Sequence, residues 1–317
     1  MAELLADFDT AHCGIIHDAQ LDCYGQCLAT ASADGHIRLW DVREPGKPSF
    51  LADLGSHTGA VYQVAWAPAG TGVLLASVGA DGRCIIWGRH GRPDEWQPVR
   101  CEDLQRHGTL RAVAWAPAEH GAVLACASAD GSLTVVKHEG ALRSGDATVE
   151  HRWLSQTFQA HQGQANAVSW ASPPAISDRP LGLAGARFAT AGEDGIRVWR
   201  RDEARGSWEA EAVDTSAELA SASMRDVTWR PWDGVCETLA SASRQTVVIW
   251  RLEGQGDAGR WSAAQHVAIG QEAWRLSWTD VGGALLVSCG EEEQQTVLMK
   301  QQLGGEWDVM DVATKGD

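Results

Sequence analysis

The chain has 317 residues, of which 44% are hydrophobic, and a formal net charge of −16. An apolar fraction of that size supplies a packed core and argues against disorder over most of the length. The charge sets the surface against polyanions, so direct nucleic-acid binding and direct association with an anionic membrane are disfavoured.

The chain begins MAELLADFDTAH, without the basic start and long apolar run of a secretory signal. No stretch of about 18 apolar residues occurs anywhere, so no membrane-spanning helix is expected. Leu4-Leu5-Ala6-Asp7-Phe8 reads as a short strand just ahead of His12, and residues 1–11 form an N-terminal strand candidate. The first strong hairpin is LATASADGHIRLW, ending at Trp40, with Asp41 completing a Trp-Asp pair.

From there the chain repeats. VAWAP ends at Pro68 and again at Pro117, then varies to VSWAS, VTWRP and LSWTD, placing Trp66, Trp115, Trp170, Trp229 and Trp278 in register. A second phrase follows each copy: LASVGADGRCIIW to Trp87, LACASADGSLTVV to Val136, FATAGEDGIRVW to Trp199, LASASRQTVVIW to Trp250 and LVSCGEEEQQTVLM to Met299. Asp-Gly between alternating apolar runs is hairpin chemistry, because glycine takes the positive φ of the turn at no steric cost. The runs after the turn are β-branched, and helical periodicity is absent. A further short strand follows each hairpin, in PSFLADL, WQPVRCEDL, WLSQTFQA, WEAEAVDT, WSAAQHVAI and WDVM. Four strands repeating about every 50 residues predict the blades of a β-propeller. The fold class is therefore all-β, with six blades over approximately 12–55, 56–105, 106–160, 161–215, 216–269 and 270–311, and residues 1–317 forming one domain. The Trp residues at the repeated positions are core, since each removes about 150–250 Å² from water.

These repeats resemble the WD-repeat family, whose blades hold a hydrogen-bonded chain of His, Ser or Thr, Asp and Trp. The matching residues are His12, Thr30, Asp34 and Trp40 in blade 1, His57, Ser77, Asp81 and Trp87 in blade 2, and His161, Thr190, Asp194 and Trp199 in blade 4. The match decays elsewhere: blade 3 keeps His107 and Asp130 but has Cys126 and Val136, blade 5 has Gln245 in place of Asp, and blade 6 has Glu292 and Met299. Recurrence argues for structure rather than catalysis, since an active site is built once. No nucleophile elbow, zinc-protease motif, P-loop or dinucleotide fingerprint is present. No enzyme activity, cofactor or metal is expected, and Glu291-Glu292-Glu293 reads as a solvated hairpin tip. The eight cysteines show no C-x-x-C or zinc spacing, and Cys84, Cys126 and Cys289 lie in apolar strands, so reduced buried thiols are expected. Two insertions, 171–187 and 139–150, are Gly- and polar-rich and are expected to be surface loops.

The run Ile16-His17-Asp18-Ala19-Gln20-Leu21-Asp22-Cys23-Tyr24-Gly25 resembles the Sec-thirteen family, the small propeller of the COPII vesicle coat cage. Val61-Tyr62-Gln63-Val64-Ala65-Trp66-Ala67, Arg225-Asp226-Val227-Thr228-Trp229, Trp274-Arg275-Leu276-Ser277-Trp278 and Gly304-Gly305-Glu306-Trp307 fit the same family in order. The resemblance implies an open six-bladed ring, closed by a β-blade from an α-solenoid partner. It implies an outer-cage subunit of COPII as partner in ER-to-Golgi transport, a Y-complex nucleoporin in the nuclear pore, and in some lineages a nutrient-signalling complex. The implied location is cytoplasmic, at ER exit sites and COPII vesicles, and at nuclear pores of the nuclear envelope. Blade 6 departs from the family in its GEEEQQ tip and Met299.

An open ring leaves apolar blade faces in water, which marks a binding surface. Topology places the partner cleft at Ile15 and Ile16 of blade 1 and at Trp274 and Trp278 of blade 6. Competing readings are a Seh-one-like nucleoporin propeller, a closed WD-repeat peptide or substrate receptor, and a propeller enzyme. The receptor requires a groove of Arg or aromatic residues, and the enzyme requires a catalytic set found only once.

Overall fold

A computed structural model of the protein describes residues 8–310, apart from 144–148, 173–181, 215–218, 220–221, 234–235, 255–258, 280–281 and 291–294. Six sheets follow one another along the chain, antiparallel except for one short parallel pair in the fifth. Blade 1 is β1 (Ile16–Leu21), β2 (Cys27–Ser32), β3 (Ile37–Asp41) and β4 (Ser49–Leu54). Blade 2 is β5 (Val61–Trp66), β6 (Leu74–Gly79), β7 (Arg83–Arg89) and β8 (Trp96–Asp103). Blade 3 is β9 (Leu110–Trp115), β10 (Val123–Ser128), β11 (Ser132–Arg143) and β12 (Val149–Gln159). Blade 4 is β13 (Ala165–Trp170), β14 (Arg187–Gly192), β15 (Gly195–Asp202) and β16 (Ser207–Ala210). Blade 5 is β17 (Val213–Asp214), β18 (Met224–Trp229), β19 (Thr238–Ser243), β20 (Thr246–Glu253) and β21 (Arg260–Ala268). Blade 6 is β22 (Ala273–Trp278), β23 (Ala284–Cys289), β24 (Gln295–Gln301) and β25 (Trp307–Met310). The described residues fall into two compact units of three blades each, one within Leu4–Gln159 and the other within Ala160–Asp317. The fold is an all-β WD-repeat propeller of six blades.

Sequence explains each blade. The strand that follows the inner strand is rich in small residues in blades 1 to 5, and in blades 2 to 4 it is almost wholly buried. Small residues there let the neighbouring sheet approach closely. The third strand is β-branched, and Ile85, Ile86, Val247, Val248 and Ile249 are at most 2% exposed. The hairpin between them turns on glycine: Gly82 has φ +68°, and a Cβ there would lie 2.7 Å from the Gly108 carbonyl oxygen. Any other residue is excluded by both backbone and space.

Within each unit the core lies between blades. Ala29, Ala31, Ile37 and Leu39 of blade 1 meet Val61, Val64, Leu75 and Trp87 of blade 2. Cys84 and Ile86 of blade 2 meet Val113, Leu124 and Val136 of blade 3. In the other unit Ala189, Ala191 and Val198 meet Val227, Trp229, Trp250 and Trp261, and blade 5 meets blade 6 through Ile249, Leu285, Met299 and Trp307.

Two expectations are revised, and others fall outside the described residues. The 139–150 insertion is largely not a loop: β11 and β12 continue into it, with Ala141 paired to His151 and Arg143 to Val149. Extending an existing ladder satisfies backbone groups that a loop would leave to water. The strand expected over WEAEAVDT divides. Ser207–Ala210 closes blade 4, whereas Val213–Asp214 crosses over and pairs parallel with Trp261 and Ser262 of blade 5. The strand expected over Leu4–Phe8 falls mainly outside the described residues; Phe8 is described, and its ring meets Trp40 edge-on at 5.1 Å. The Glu291–Glu293 tip and most of the 171–187 insertion also lie outside them.

All eight cysteines are free thiols. Burial pushes the Cys27 thiol up to about 11, and a hydrogen bond with Cys84, with burial, holds the Cys126 thiol far above its ordinary value. Neither supplies thiolate at neutral pH, so neither is a nucleophile.

Candidate functional site

The polar residues of the repeats come together as three similar networks. In blade 2, His57 bonds Asp81 through Nδ1 at 3.0 Å and Ser77 through Nε2 at 2.8 Å, and the Trp87 indole donates to Ser77 Oγ at 2.9 Å. In blade 1, His12 bridges Asp34 and Thr30 at 2.9 Å each, with Trp40 reaching Thr30 at 3.4 Å. In blade 4, His161 bonds Asp194 and Thr190, and Trp199 donates to Thr190 at 3.0 Å. Burial lowers the proton affinity of His57 and His161 despite their carboxylates. Burial alone would raise Asp81, but bonds from His57 and from the Thr58 and Arg83 N–H groups hold it below the ordinary carboxylate range. A neutral imidazole locked between two fixed partners orients a loop. Its Nε2 is occupied by a hydroxyl, so it has no open position for a substrate.

A second set of contacts ties successive blades together. In the inner strand of each blade, count back from the terminal Trp as position zero. The Trp66 indole donates to the Gln20 carbonyl of the preceding blade at 2.9 Å, Trp115 to Ala65 at 3.0 Å, and Trp278 to Thr228 at 3.3 Å. Alongside, the side chain three before position zero accepts a backbone N–H from the following blade. Asp18 takes Val64 at 3.1 Å, Gln63 takes Val113 at 2.8 Å, and Asp226 takes Leu276 at 2.7 Å. Each of these acceptors, buried or half-buried, thus meets a donor, as groups withdrawn from water require.

Blades 3 and 4 carry Ala112 and Ala167 at the third position and have no side-chain acceptor there, and blades 1 and 6 depart from the pattern in other ways. In blade 1 position zero is Leu21, whose side chain has no N–H to give and which is 55% exposed. In blade 6 the face that would meet a following blade, its trailing face, is uncovered. Leu286 and Met310 there are 37% and 39% exposed, while their partners on the opposite face, Leu285, Val287 and Met299, are sealed against blade 5. The corresponding trailing face of blade 5, Ala240, Ala242, Val247 and Ile249, is 0% exposed.

The residues singled out from topology divide. Ile15, Ile16 and Trp274 are exposed at 74%, 40% and 45%. Trp274 also carries the Arg225 guanidinium 3.8 Å above its ring, while its indole donates to the Gly290 carbonyl. Trp278 is engaged within its own unit: besides its bond to Thr228, its ring lies 5.2 Å from that of Trp307. The apolar surface of blade 6 therefore centres on Leu286, Leu298 and Met310, which sequence reading did not single out. A signal existed. The residue paired opposite position minus one is Ala29, Ala76, Ala125, Ala189 and Ala240 in five blades and Leu286 in the sixth.

Among the described residues, no group of three His, Cys, Asp or Glu side chains is placed to hold a metal ion, and no helix is long and apolar enough to cross a membrane.

A family model described as "WD domain, G-beta repeat" matches residues 3–41 and 48–88. The protein transport protein SEC13 of Cryptococcus neoformans var. neoformans serotype D is 33% identical over 332 residues, covering 95% of each chain. The protein SEC13 homolog of Drosophila melanogaster is 33% identical, covering 97% of this chain and 83% of its own. The protein transport protein SEC13 of Debaryomyces hansenii is 37% identical over 290 residues, covering 88% and 91%. Among solved structures, Saccharomyces cerevisiae Sqt1 superposes with a TM-score of 0.66 at 14% identity, covering 96% of this chain and 77% of that one, which is a likeness of fold.

Proposed function

The chain belongs to the SEC13 family, and from that membership we propose that it is a non-catalytic scaffold subunit of the COPII outer cage, in ER-to-Golgi transport, and of the nuclear pore Y-complex. Its propeller forms an open ring, and an α-solenoid partner donates a β-blade that completes it. The working locations are ER exit sites and COPII vesicles in the cytoplasm, and nuclear pores at the nuclear envelope. A nutrient-signalling assembly is a further use of the same surface.

The observation that carries this reading is the uncovered trailing face of blade 6, with Leu286 and Met310 in water where blade 5 presents residues at 0% exposure. A sheet face of that kind is a binding surface, and strand addition supplies both apolar burial and backbone hydrogen bonds. Exposed Leu21, Ile15 and Ile16 on blade 1 support the same reading. The repeated His networks are occupied internally, which favours scaffold over enzyme.

The test is purification of the tagged protein from its own cells with a high-salt wash, followed by mass spectrometry. The expected result is a stoichiometric, salt-resistant α-solenoid subunit with a short β segment, whose identity separates coat from pore. Recovery as a free monomer, or with a short peptide substrate, would overturn the reading.

A further inference from the structure

The residue three before position zero differs between blades: blades 1, 2 and 5 place an acceptor there, blades 3 and 4 have Ala112 and Ala167, and blade 6 has a cation. Where the ties are complete, the residue three before position zero is an acceptor, Asp18, Gln63 or Asp226, and the incoming strand brings it an N–H. In blade 6 that position is Arg275, a residue with donors and no acceptor. Its strand neighbour on the same face is Ser288, exposed, and Lys300 is exposed on β24 of the same face. Asp308 of β25 stands directly opposite Lys300, whereas Arg275 stands opposite Ser288, so Arg275 is the cation without a carboxylate across from it in the sheet.

The carbonyl of Ser277 stands where Gln20, Ala65 and Thr228 each accept an indole N–H from the following blade. Leu286 stands where five blades have Ala, so the incoming sheet must leave room for a larger side chain. This chain's own blade 1 does not meet those terms. On the face it would present, β1 carries His17, Ala19 and Leu21, with no carboxylate and no indole.

We infer that the trailing face of blade 6 receives a partner's inner strand bearing a tryptophan and, two or four residues before it, an Asp or Glu that pairs with Arg275. The tryptophan donates to the Ser277 carbonyl. The spacing follows from the existing ties, in which the group facing the third-position side chain lies two residues before the Trp, as Val64 does before Trp66 and Leu276 before Trp278. Side chains of one strand return to the same face every second residue, which adds the fourth position. The planar guanidinium then takes a carboxylate in place of an N–H, and a mismatched strand would leave Arg275 covered without a partner. This inference rests on the reading that a partner supplies a blade.

The test places a benzophenone amino acid at Leu286 in the tagged full-length protein, irradiates the cells, and sequences the cross-linked peptide. The peptide expected comes from another protein and carries Trp with an acidic residue two or four positions before it. Arg275→Glu lowers the cross-link yield about tenfold, and exchanging the partner's acidic residue for Lys restores it. The melting temperature of Arg275→Glu is measured alongside, and Arg275→Gln serves if the charge reversal does not fold. A cross-linked partner peptide lacking the acid, or a yield unchanged by both Arg275 variants, overturns the inference and leaves the donated blade standing. Cross-links confined to this chain or a second copy of it overturn both.

Discussion

The indole N–H of Trp115 meets the carbonyl oxygen of Ala65 at 3.0 Å, fifty residues earlier in the chain and one blade away. The contact is closed off from water on both sides, since Trp115 is 9% exposed and Ala65 is 8%. The repeated Trp therefore does two jobs: its rings fill the space between sheets, and its N–H sets the register of one inner strand against the next.

Trp115→Phe separates those jobs. Most of the apolar burial stays, while the Ala65 carbonyl is left without its donor. An unsatisfied buried acceptor costs about 1–3 kcal/mol. Urea unfolding should show a midpoint shift of that size with little change in slope. Trp274→Phe, at an exposed ring, should shift it much less. Equal shifts for the two variants would remove the register role.

His57→Ala and His107→Ala make a second contrast. Both histidines bond an Asp, but His57 is buried between Asp81 and Ser77, whereas His107 lost its hydroxyl when Cys126 took the place of Ser77. His107 instead accepts from Arg106 Nε at 2.9 Å near the surface. His57→Ala takes the imidazole from between Asp81 and Ser77, leaving Asp81 with the Thr58 and Arg83 N–H groups and Ser77 with Trp87, and opens a buried space, and should cost about 2–4 kcal/mol. His107→Ala should cost under about 1 kcal/mol. Calorimetric melts of the two variants decide it, and a larger loss at His107 would contradict the networks as described.

These cases show where the sequence was legible. The hairpins and the three full networks could be read directly, because Asp-Gly turns and evenly spaced His, Ser or Thr, Asp and Trp are local patterns. The division of WEAEAVDT was not, since Val213 leaves blade 4 to pair with Trp261, and no local propensity distinguishes two acceptor sheets. Extension of β11 and β12 into residues 139–150 was missed for a related reason: Gly140 signals a turn, yet it takes φ +100° as an irregularity inside a continuing ladder. The exposed face of blade 6 was written in the change from Ala to Leu286, a signal visible only once the sheet register is known.

Acid should destabilise the fold in two stages. Burial holds the folded His57 and His161 below the ordinary imidazole value, so they stay neutral while the same groups in the unfolded chain take up protons below about pH 6.5. The unfolded state then binds more protons, and stability falls as pH drops. Asp81 is held below the ordinary carboxylate value by His57, Thr58 and Arg83 against the opposing effect of burial. Its contribution is present above about pH 4 and is lost as pH falls further. Melting temperature should decline from pH 7.5 to 5 and more steeply below 4. A flat profile between 7.5 and 5 would rule out the first stage, and His57→Gln should flatten it in part.

Arg187 is predicted to hold blades 4 and 5 together. Its Nε and Nη2 reach Glu211 at 2.8 and 2.6 Å, and its Nη1 reaches Glu237 at 2.6 Å. Its guanidinium carbon lies 5.2 Å from the Trp229 ring, and the Trp261 indole donates to Glu211 at 2.9 Å. Glu211 begins the crossing that brings Val213 and Asp214 to blade 5, and the Ala212 carbonyl accepts from Trp261 N. All three charged side chains are mostly buried, at 15%, 14% and 23% exposure. Arg187→Ala therefore leaves two carboxylates beside each other without a cation, at a cost of about 3 kcal/mol. Hydrogen exchange should quicken at Val213 and at the outer strand β21, while the inner strand β18 keeps its protection. Adding Glu211→Gln to Arg187→Ala removes one stranded charge and should recover part of the loss. If β18 and β21 lose protection together in Arg187→Ala, the cluster stabilises blade 5 as a whole and the crossing is not a separate strap.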